Sequence, residues 1–374
     1  MPAPGDRSTS PAVRDWGGSP CVQRTRCDAE PLAAQLTTQP AIGLLLGDSA
    51  GVGPQLAVRL LAEPLPPQVR LIVVGRRAWL RRGAQQAQLP VPDLPAVALT
   101  DLDQVSIDCP ILLEPEGDHL DRVPVASVSR EAGIGCMASL RMAADLVARG
   151  VLAGFLYGPM HKQSLQLGGS RHPDDAALLT ELFECPAPAH EINILDDWCT
   201  SRVTSHIPLA EVPARVSAPG VLTAIEQLHA VMQNLNLPDS HIGVAGLNPH
   251  AGEGGLFGDE EVEVIGPAVD EARRRGIPVH GPFPPDTLFV RLADGQFGGA
   301  VTMYHDQGQI AIKLLGFARG VTVIGGLPVP VATTAHGTAF DIVEQGTARP
   351  HSLINALKVC SSLVANNRKR SDAS

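Results

Sequence analysis

Short apolar runs recur along the chain from residue 41 onward, separated by polar and glycine-rich stretches. Seven of them have the length of buried strands: Ile42–Leu46, Leu71–Gly75, Ile111–Leu113, Leu152–Tyr157, Ile242–Leu247, Ala300–Tyr304 and Val321–Ile324. Helical segments lie between several of these runs: Ser127–Arg149, Val221–Leu235 and Glu260–Arg275. Because strands and helices alternate, the pattern predicts an α/β protein with a largely parallel sheet.

Residues 1–40 differ from the rest of the chain. They are rich in Pro, Ser, Gly and Arg and lack any period, which predicts a flexible N-terminal extension. A functional tail and a misplaced translation start are both compatible with this composition. The full length of 374 residues accommodates two domains or one large one, and two sub-domains separated by a cleft fit it well.

Composition and charge narrow the class of protein. The net charge of −10 and the aromatic content of 3% argue against a nucleic-acid-binding surface, although a local anion pocket stays possible. The seven cysteines form no CxxC pair and are typical of reduced thiols. No apolar run approaches the roughly 18 residues of a membrane span, and no signal-peptide pattern is visible. We therefore expect a cytoplasmic protein.

The glycine-rich stretch "GDSAGVGPQ" follows the first apolar run, as a dinucleotide-binding loop would. It does not match the GxGxxG fingerprint, because Pro54 and Gln55 follow Gly53 and Leu56 stands where the third glycine belongs. No acidic residue ends a second strand about 20 residues later. Pro54 suits the first turn of a helix. We interpret this loop as a strand-to-helix turn beside the cofactor site.

Three histidines follow predicted strands. His206 comes after the short β-like run Arg202–Ser205, His250 after "IGVAGL" and His305 after "AVTMY". Since the carboxyl ends of parallel strands share one rim, three imidazoles there could hold a divalent metal with open coordination positions. Each histidine taken alone is more often a capping or surface residue.

Other candidate groups are weaker when taken singly. Lys162 follows an apolar run; His172 precedes a helix start where Asp174 and Asp175 would suit the helix dipole. Lys313 lies about two turns beyond His305 if that stretch is helical. It is either an anion contact or a solvated surface lysine.

A later glycine-containing turn is a better nucleotide candidate. The stretch "HGTAFDIV" places His336, Gly337, Thr338 and Ala339 in a turn before a possible helix start. Backbone N–H groups in such a turn can cradle a phosphate. We predict cofactor binding there.

The motifs "GDSAGVGPQ", "GPMHK", "HPDDAALLTEL", "TSHIPLAEVP", "LNPHAGEGGLFGDEE", "GPFPPDTLF", "MYHDQGQ" and "HGTAFDI" occur in this order. From about residue 41 to the C-terminus the chain resembles the 4-hydroxythreonine-4-phosphate dehydrogenase family. The resemblance implies an isocitrate/isopropylmalate dehydrogenase-like α/β fold with two sub-domains around a cleft. Residues 41–165 plus 325–374 would form the cofactor side, and residues 166–324 the metal, substrate and dimer-interface side.

The same resemblance implies an NAD-dependent oxidation of a secondary alcohol in pyridoxine biosynthesis, followed by loss of CO₂ from the β-keto acid. It implies a divalent metal at His206, His250 and His305, with zinc first and magnesium or manganese as alternatives. It also implies a homodimer whose subunits share the active site. NADP stays possible in place of NAD.

The catalytic base is left open. Lys162, Asp286 and Asp306 are candidates within reach of the expected rim.

The substrate positions match the family only in part. His172 and Lys313 correspond to substrate-contacting residues. Pro173, however, stands in place of a threonine, Thr322 in place of an asparagine and Val331 in place of an arginine. A valine cannot replace the bidentate grip of an arginine on phosphate. The metal and cofactor residues thus look complete, while the phosphate pocket looks rebuilt.

Several functions remain compatible with this pattern. A 4-hydroxythreonine-4-phosphate dehydrogenase comes first, narrowly ahead of a cis-dihydrodiol carboxylate dehydrogenase of the terephthalate-diol type, which needs no phosphate site. A four-carbon acid phosphate dehydrogenase and a non-catalytic binding homologue are further alternatives, and a phosphate or anion carrier is a weaker one.

Overall fold

A computed structural model describes residues 41–65, 69–102, 109–316 and 320–371. The predicted N-terminal extension lies outside these residues. Among the described cysteines, Cys136, Cys185, Cys199 and Cys360 are free thiols.

Eleven strands lie within the described residues. They are β1 Ala41–Leu45, β2 Arg70–Val74, β3 Ile111–Leu113, β4 Leu152–Tyr157, β5 His190–Leu195, β6 Trp198–Arg202, β7 Ile242–Ala245, β8 Val279–Phe283, β9 Gly299–Thr302, β10 Val321–Gly325 and β11 Val331–Thr334. All seven strands predicted from apolar runs are present. The strands that lacked such a run are β5, β8 and β11, together with β6, which ends where the β-like run was expected to begin.

The described residues also form α-helices. They are α1 Gly53–Leu61, α2 Arg77–Ala87, α3 Arg130–Ala148, α4 Lys162–Leu167, α5 Asp175–Leu182, α6 Val212–Arg215, α7 Ala218–Leu235, α8 Gly266–Arg274, α9 Pro285–Ala293, α10 His305–Gly316 and α11 His351–Ser371. A π-helical turn at Glu261–Ile265 precedes α8.

Helix caps explain where the predicted helices begin. Helix α3 starts after Ser129, whose hydroxyl accepts the N–H of Ala132 at 3.1 Å. Helix α7 starts three residues before its prediction, because Ser217 caps it at the N–H of Gly220 and a proline occupies its first turn.

The strands form one mixed sheet in the order β3-β2-β1-β4-β11-β10-β5-β6-β9-β7-β8. Strands β3, β2, β1, β4 and β11 run parallel to one another, and β6, β9, β7 and β8 do likewise. Three antiparallel pairings join these two sets through β10 and β5. The α/β prediction is confirmed, with the addition that the two halves of the sheet run in opposite directions. The division into sub-domains stays a prediction.

Strands β10 and β11 pair across the middle of the sheet. Thr322 of β10 lies directly opposite Thr333 of β11 in this antiparallel register. On its other side β10 pairs with β5, where Thr322 lies opposite Asn193 and donates a hydrogen bond to its Oδ1 at 3.1 Å. Polar side chains therefore occupy the centre of the sheet, which positions them for a site.

Candidate active site

A cavity of about 240 Å³ opens over the middle of the sheet. Its walls come from the turn after β4, the ends of β5 and β6, one face of α10, and β10 with β11. The lining residues are Pro159, Met160, Lys162, Asp175, Glu191, Asn193, Arg202, His206, His305, Gln309, Lys313, Thr322, Thr333, Thr334, Ala335, His336 and Gly337. Cationic, imidazole and hydroxyl groups dominate this list, so the cavity suits a small polar anion.

Helix α10 gives the cavity three side chains from one face. His305, Gln309 and Lys313 all line it, and residues spaced by four share a helix face. The helix begins at His305, which explains why a histidine after a strand and a lysine two turns later meet the same space. The helical relationship expected for His305 and Lys313 is confirmed.

His206 and His305 come together at the mouth of the cavity. Their ring centroids are 5.6 Å apart. Nδ1 of His206 lies 2.9 Å from Oδ2 of Asp174, and Nδ1 of His305 lies 2.7 Å from Oδ1 of Asp306. Because a carboxylate only accepts hydrogen bonds, the neutral tautomer that fits each contact carries its proton on Nδ1 and leaves a lone pair on Nε2. This donor set fits two ligands of one metal ion.

His250 does not join the other two histidines within the chain. Across the described parts of the molecule, no group of three His, Cys, Asp or Glu side chains is arranged to hold a metal ion. The His250 side chain is 70% exposed, and its Nδ1 lies 3.3 Å from Oε2 of Glu253. Of the three expected metal ligands, only His206 and His305 therefore lie together within the chain.

The loop that carries His250 has an unusual backbone. Residues 250–255 all have positive φ, including the non-glycine residues His250, Ala251 and Glu253, a conformation that costs energy for side chains with a Cβ. The buried carboxylate of Glu261 stabilises the base of this loop: its Oε1 accepts the backbone N–H groups of Leu247 and Asn248, each at 2.7 Å. The exposed histidine is thus presented by a loop with a fixed anchor.

Two adjacent aspartates at the start of α5 contact different functional groups. Asp174 caps the helix by accepting the N–H of Ala177 at 2.9 Å and also contacts His206. Asp175 forms an ion pair with Lys162 and accepts a 3.2 Å hydrogen bond from the hydroxyl of Tyr157. The helix-dipole role expected for these aspartates is real, but it is not their only one.

The Lys162–Asp175 pair determines the charge state of the lysine. Burial by itself would lower the pKa of Lys162, but the negative charge of Asp175 and its hydrogen bond outweigh burial and raise that pKa above its usual value. The lysine is therefore protonated near neutral pH. In that state it suits a proton donor or an anion contact better than a base.

Arg202 and Glu191 form a second ion pair in the cavity wall. Arg202 ends β6, and its side chain is only 4% exposed. Its Nε donates to Oγ of Ser205 at 3.0 Å. Neither residue was singled out from the sequence, because their strands lack a continuous apolar run.

Five of the predicted catalytic and substrate-binding residues do not line this cavity, in addition to His250. His172 lies instead 2.9 Å from Oε2 of Glu181 through its Nε2, and its neighbour Pro173 is also outside the lining. Val331 is fully buried in the core, so it does not face the cavity. Asp286 and Asp306 are exposed. Lys162, Lys313 and Thr322 do line it, as do all of His206, His305, His336 and Gly337.

The predicted cofactor turn borders a larger cavity of about 760 Å³. His336 and Gly337 line both cavities, and Ala339 lines the larger one. Thr338 is buried and lines neither cavity. Val52 and Leu56, from the glycine-rich loop and α1, form the opposite wall of the larger cavity.

The glycine-rich loop packs directly on the cofactor turn. The N–H of Val52 donates to the carbonyl of Thr338 at 3.0 Å, and a Cβ placed on Gly51 would lie 2.8 Å from that carbonyl oxygen. The ring of His161 stacks on Phe340 at 5.2 Å. The loop is therefore a strand-to-helix turn that packs beside the 336–339 turn, as expected; cofactor binding at that turn stays a prediction.

No helix in the described part of the chain is long and apolar enough to cross a membrane.

Two cavities that adjoin at His336 and Gly337 suit an enzyme that binds two ligands side by side. The family model "Pyridoxal phosphate biosynthetic protein PdxA" matches residues 68–360. The chain belongs to the PdxA family of dehydrogenases, as the motifs in the sequence predict.

Known proteins resemble the chain over most of its length. A "Putative 4-hydroxythreonine-4-phosphate dehydrogenase 2" from Pseudomonas aeruginosa is 44% identical over 315 residues, which are 83% of this chain and 92% of the relative. A "D-threonate 4-phosphate dehydrogenase" from Salmonella typhimurium is 34% identical, covering 86% of this chain and 98% of the relative.

Solved structures show the same fold. That of a putative 4-hydroxythreonine-4-phosphate dehydrogenase from Salmonella typhimurium superposes with a TM-score of 0.75 at 32% identity, covering 87% of this chain and 99% of the other. A terephthalate 1,2-cis-dihydrodiol dehydrogenase from Burkholderia xenovorans LB400 superposes with a TM-score of 0.61 at 25% identity, covering 87% and 98%.

Proposed function

We propose that this PdxA-family dehydrogenase oxidises the secondary alcohol of a small phosphorylated hydroxy acid with NAD(P), and that the resulting β-keto acid loses CO₂. The observation that carries this proposal is the shared wall of the two cavities, His336 and Gly337. A substrate in the smaller cavity and a dinucleotide in the larger one would meet at that wall, as hydride transfer requires.

The substrate we place first is 4-hydroxythreonine 4-phosphate. D-threonate 4-phosphate is the second candidate, because the relative named for it is 34% identical. Both carry a phosphate, and the cavity offers Lys162, Arg202 and Lys313 as cations. The same cations would also pair with the carboxylates of a terephthalate-type dihydrodiol, so it is the mostly polar lining of the cavity that disfavours the ring of that alternative.

The residues of the chain have separable roles in this scheme. Asp174 orients His206, and Asp306 orients His305, so that each Nε2 faces a ligand. Lys162, kept protonated by Asp175, donates the proton that the carbon needs after CO₂ leaves. When bound, a divalent metal would polarise the alcohol oxygen, and the nicotinamide would accept the hydride.

We further propose that the working enzyme is a homodimer in which a second copy supplies His250. The exposed position of His250 and its separation from the other two histidines support this arrangement. So do exposed apolar side chains near the site: Leu256, Phe257, Ile310 and Leu314. Burial of such groups is typical of a permanent interface.

A substrate panel tests the function. Purified protein supplied with zinc, magnesium or manganese receives 4-hydroxythreonine 4-phosphate, D-threonate 4-phosphate or a terephthalate-type dihydrodiol, each with NAD and with NADP. We expect reduced cofactor and released CO₂ with a phosphorylated substrate. Turnover of the dihydrodiol alone would replace the proposal, and no turnover of any compound would favour a non-catalytic homologue.

A further inference from the structure

Arg202 has the features of a ligand-binding arginine and not only those of an ion pair. Its guanidinium carries five N–H donors. Among the described residues, Nε is engaged by Ser205 and Nη2 by Glu191, while Nη1 has no hydrogen-bond partner. The side chain nevertheless lines the cavity. At least one edge of a buried guanidinium is thus available to a molecule in that cavity.

The orientation of this guanidinium is fixed before any ligand arrives. Ser205, three residues further along the chain, and Glu191, on the neighbouring strand β5, contact it from two sides. A preorganised planar fork loses little entropy when it binds an oxyanion. The site is therefore built into the sheet and does not depend on a flexible surface chain.

The position of Arg202 also answers a question raised by the sequence. Val331 occupies the position where the resemblance implies an arginine, and its side chain is buried against the core. Strand β11 consequently offers no guanidinium to the cavity from that position. Strand β6 does so instead, from Arg202 at its carboxyl end.

We propose that Arg202 anchors the phosphate group of the substrate, taking over on β6 the role that position 331 on β11 cannot fill. This inference rests on the proposed function for the identity of the substrate. Lys313 and the hydroxyl of Thr322 line the same cavity and complete an anion-binding set. Glu191 holds the guanidinium in place and also limits the affinity for phosphate, because its negative charge faces the same space.

The partner residue makes a sharp test possible. If Arg202 and Glu191 only stabilise each other, Arg202→Met and Glu191→Gln should have similar effects on the protein. If Arg202 binds phosphate, the two variants should act in opposite directions. Arg202→Met should weaken binding, whereas Glu191→Gln should strengthen it by removing a competing negative charge.

The probe is inorganic phosphate, titrated calorimetrically into the full-length protein. We expect Arg202→Met to weaken binding about 10- to 100-fold, the range of a lost charge-assisted contact, and Glu191→Gln to strengthen it a few-fold. Arg275→Met is the matched control, since Arg275 pairs with Glu226 and Glu271 on the exposed surface; its phosphate affinity should be unchanged. The double variant Arg202→Met/Glu191→Gln leaves neither charge buried alone. Weak phosphate binding by this variant therefore cannot be attributed to misfolding around an unpaired charge.

Equal weakening in both single variants, or unchanged binding in Arg202→Met, would overturn the role of Arg202. So would a wild-type protein that binds no phosphate. In the kinetic arm, Arg202→Met should raise KM for the phosphorylated substrate far more than it lowers kcat. If wild type binds phosphate through Arg202 but oxidises no compound of the panel, the anion site stands and the proposed function falls.

Discussion

The carboxylate of Asp174 contacts His206 and the start of α5 at the same time. Its Oδ2 lies 2.9 Å from Nδ1 of His206, and its Oδ1 accepts the N–H of Ala177 at 2.9 Å. One side chain thereby fixes both the position of the helix and the orientation of the imidazole. Rotation of the His206 ring would break its hydrogen bond to Asp174, which is held at the start of α5. Nε2 of His206 therefore points in a defined direction.

Asp174→Asn should weaken metal binding while keeping the helix. Asparagine caps helices as well as aspartate, but it cannot supply the charge that makes the imidazole a better ligand. We expect zinc affinity to fall about 10- to 100-fold, as for other changes to groups that orient metal ligands, measured by chelator competition. Asp239→Asn is the control, because Asp239 contacts His241 at 2.7 Å on the surface. Unchanged zinc affinity in Asp174→Asn would contradict the assignment.

Two inactive variants should restore activity when combined. If a second copy supplies His250, His250→Ala and His206→Ala subunits can form a mixed dimer with one intact site. Random pairing of equal amounts makes half of the dimers mixed, so about a quarter of wild-type activity should return. Each variant refolded alone should stay inactive. A mixture without activity would mean that His206 and His250 belong to the same site only within one chain, or not at all.

Gly337→Ala should impair cofactor binding without affecting the fold. A Cβ on Gly337 meets no atom within 4 Å, yet the residue lines both cavities. We expect KM for the cofactor to rise about tenfold, since an added methyl group displaces a tightly packed ligand at a cost of roughly 1–3 kcal/mol. The melting temperature should not change. Gly220→Ala, in the first turn of α7, is a control that should leave KM unaltered.

Removing Glu261 should release the loop that presents His250. Glu261→Ala leaves the N–H groups of Leu247 and Asn248 without their acceptor, which we expect to cost about 2–4 kcal/mol of unfolding free energy. Hydrogen exchange within residues 246–258 should accelerate. Glu263→Ala, at an exposed position on the same turn, should have little effect. Equal exchange in the two variants would show that other contacts hold the loop.

The Lys162–Asp175 ion pair should stabilise the folded protein at neutral and mildly alkaline pH, and this contribution should disappear at strongly alkaline pH. The folded-state pKa of Lys162 lies above its usual 10.5, so its contribution is complete below pH 10.5 and is lost as pH rises through the folded pKa. With Lys162 40% exposed, solvent screening limits that contribution to about 1 kcal/mol. Urea unfolding should show a constant advantage of wild type over Asp175→Asn from pH 7 to 9.5 that shrinks above pH 10.5.

The sequence predicted those elements whose residues are uniformly apolar or periodic. Most of the parallel strands, namely β1, β2, β3, β4, β7 and β9, are such runs, because helices cover both faces of a parallel sheet. Strand β6, with the sequence "WCTSR", escaped prediction although four of its five residues are buried. The buried charge of Arg202 needs Glu191 as its partner. Glu191 lies on β5, which only the folded sheet brings beside β6. No local pattern reveals that pairing.

The candidate site could be predicted where a residue follows a strand, and not where it depends on a distant contact. His206, His305, Lys313 and His336 reach the cavity from strand ends or a single helix face. The anchoring role of Glu261 depends on a partner 13 residues away, across a loop of positive φ. If a second copy supplies His250, as proposed, the place of His250 depends on an interface that one chain does not contain.

Thr322 and Thr333 stand opposite each other where the sheet changes direction, and both face the cavity. A substrate in contact with both threonines would bridge the adjacent strands β10 and β11. Such a ligand would stabilise the pairing of the two strands, because it binds the folded state and not states in which the strands have separated. Ligand binding in the cavity should therefore slow the hydrogen exchange of the backbone amides along β10 and β11.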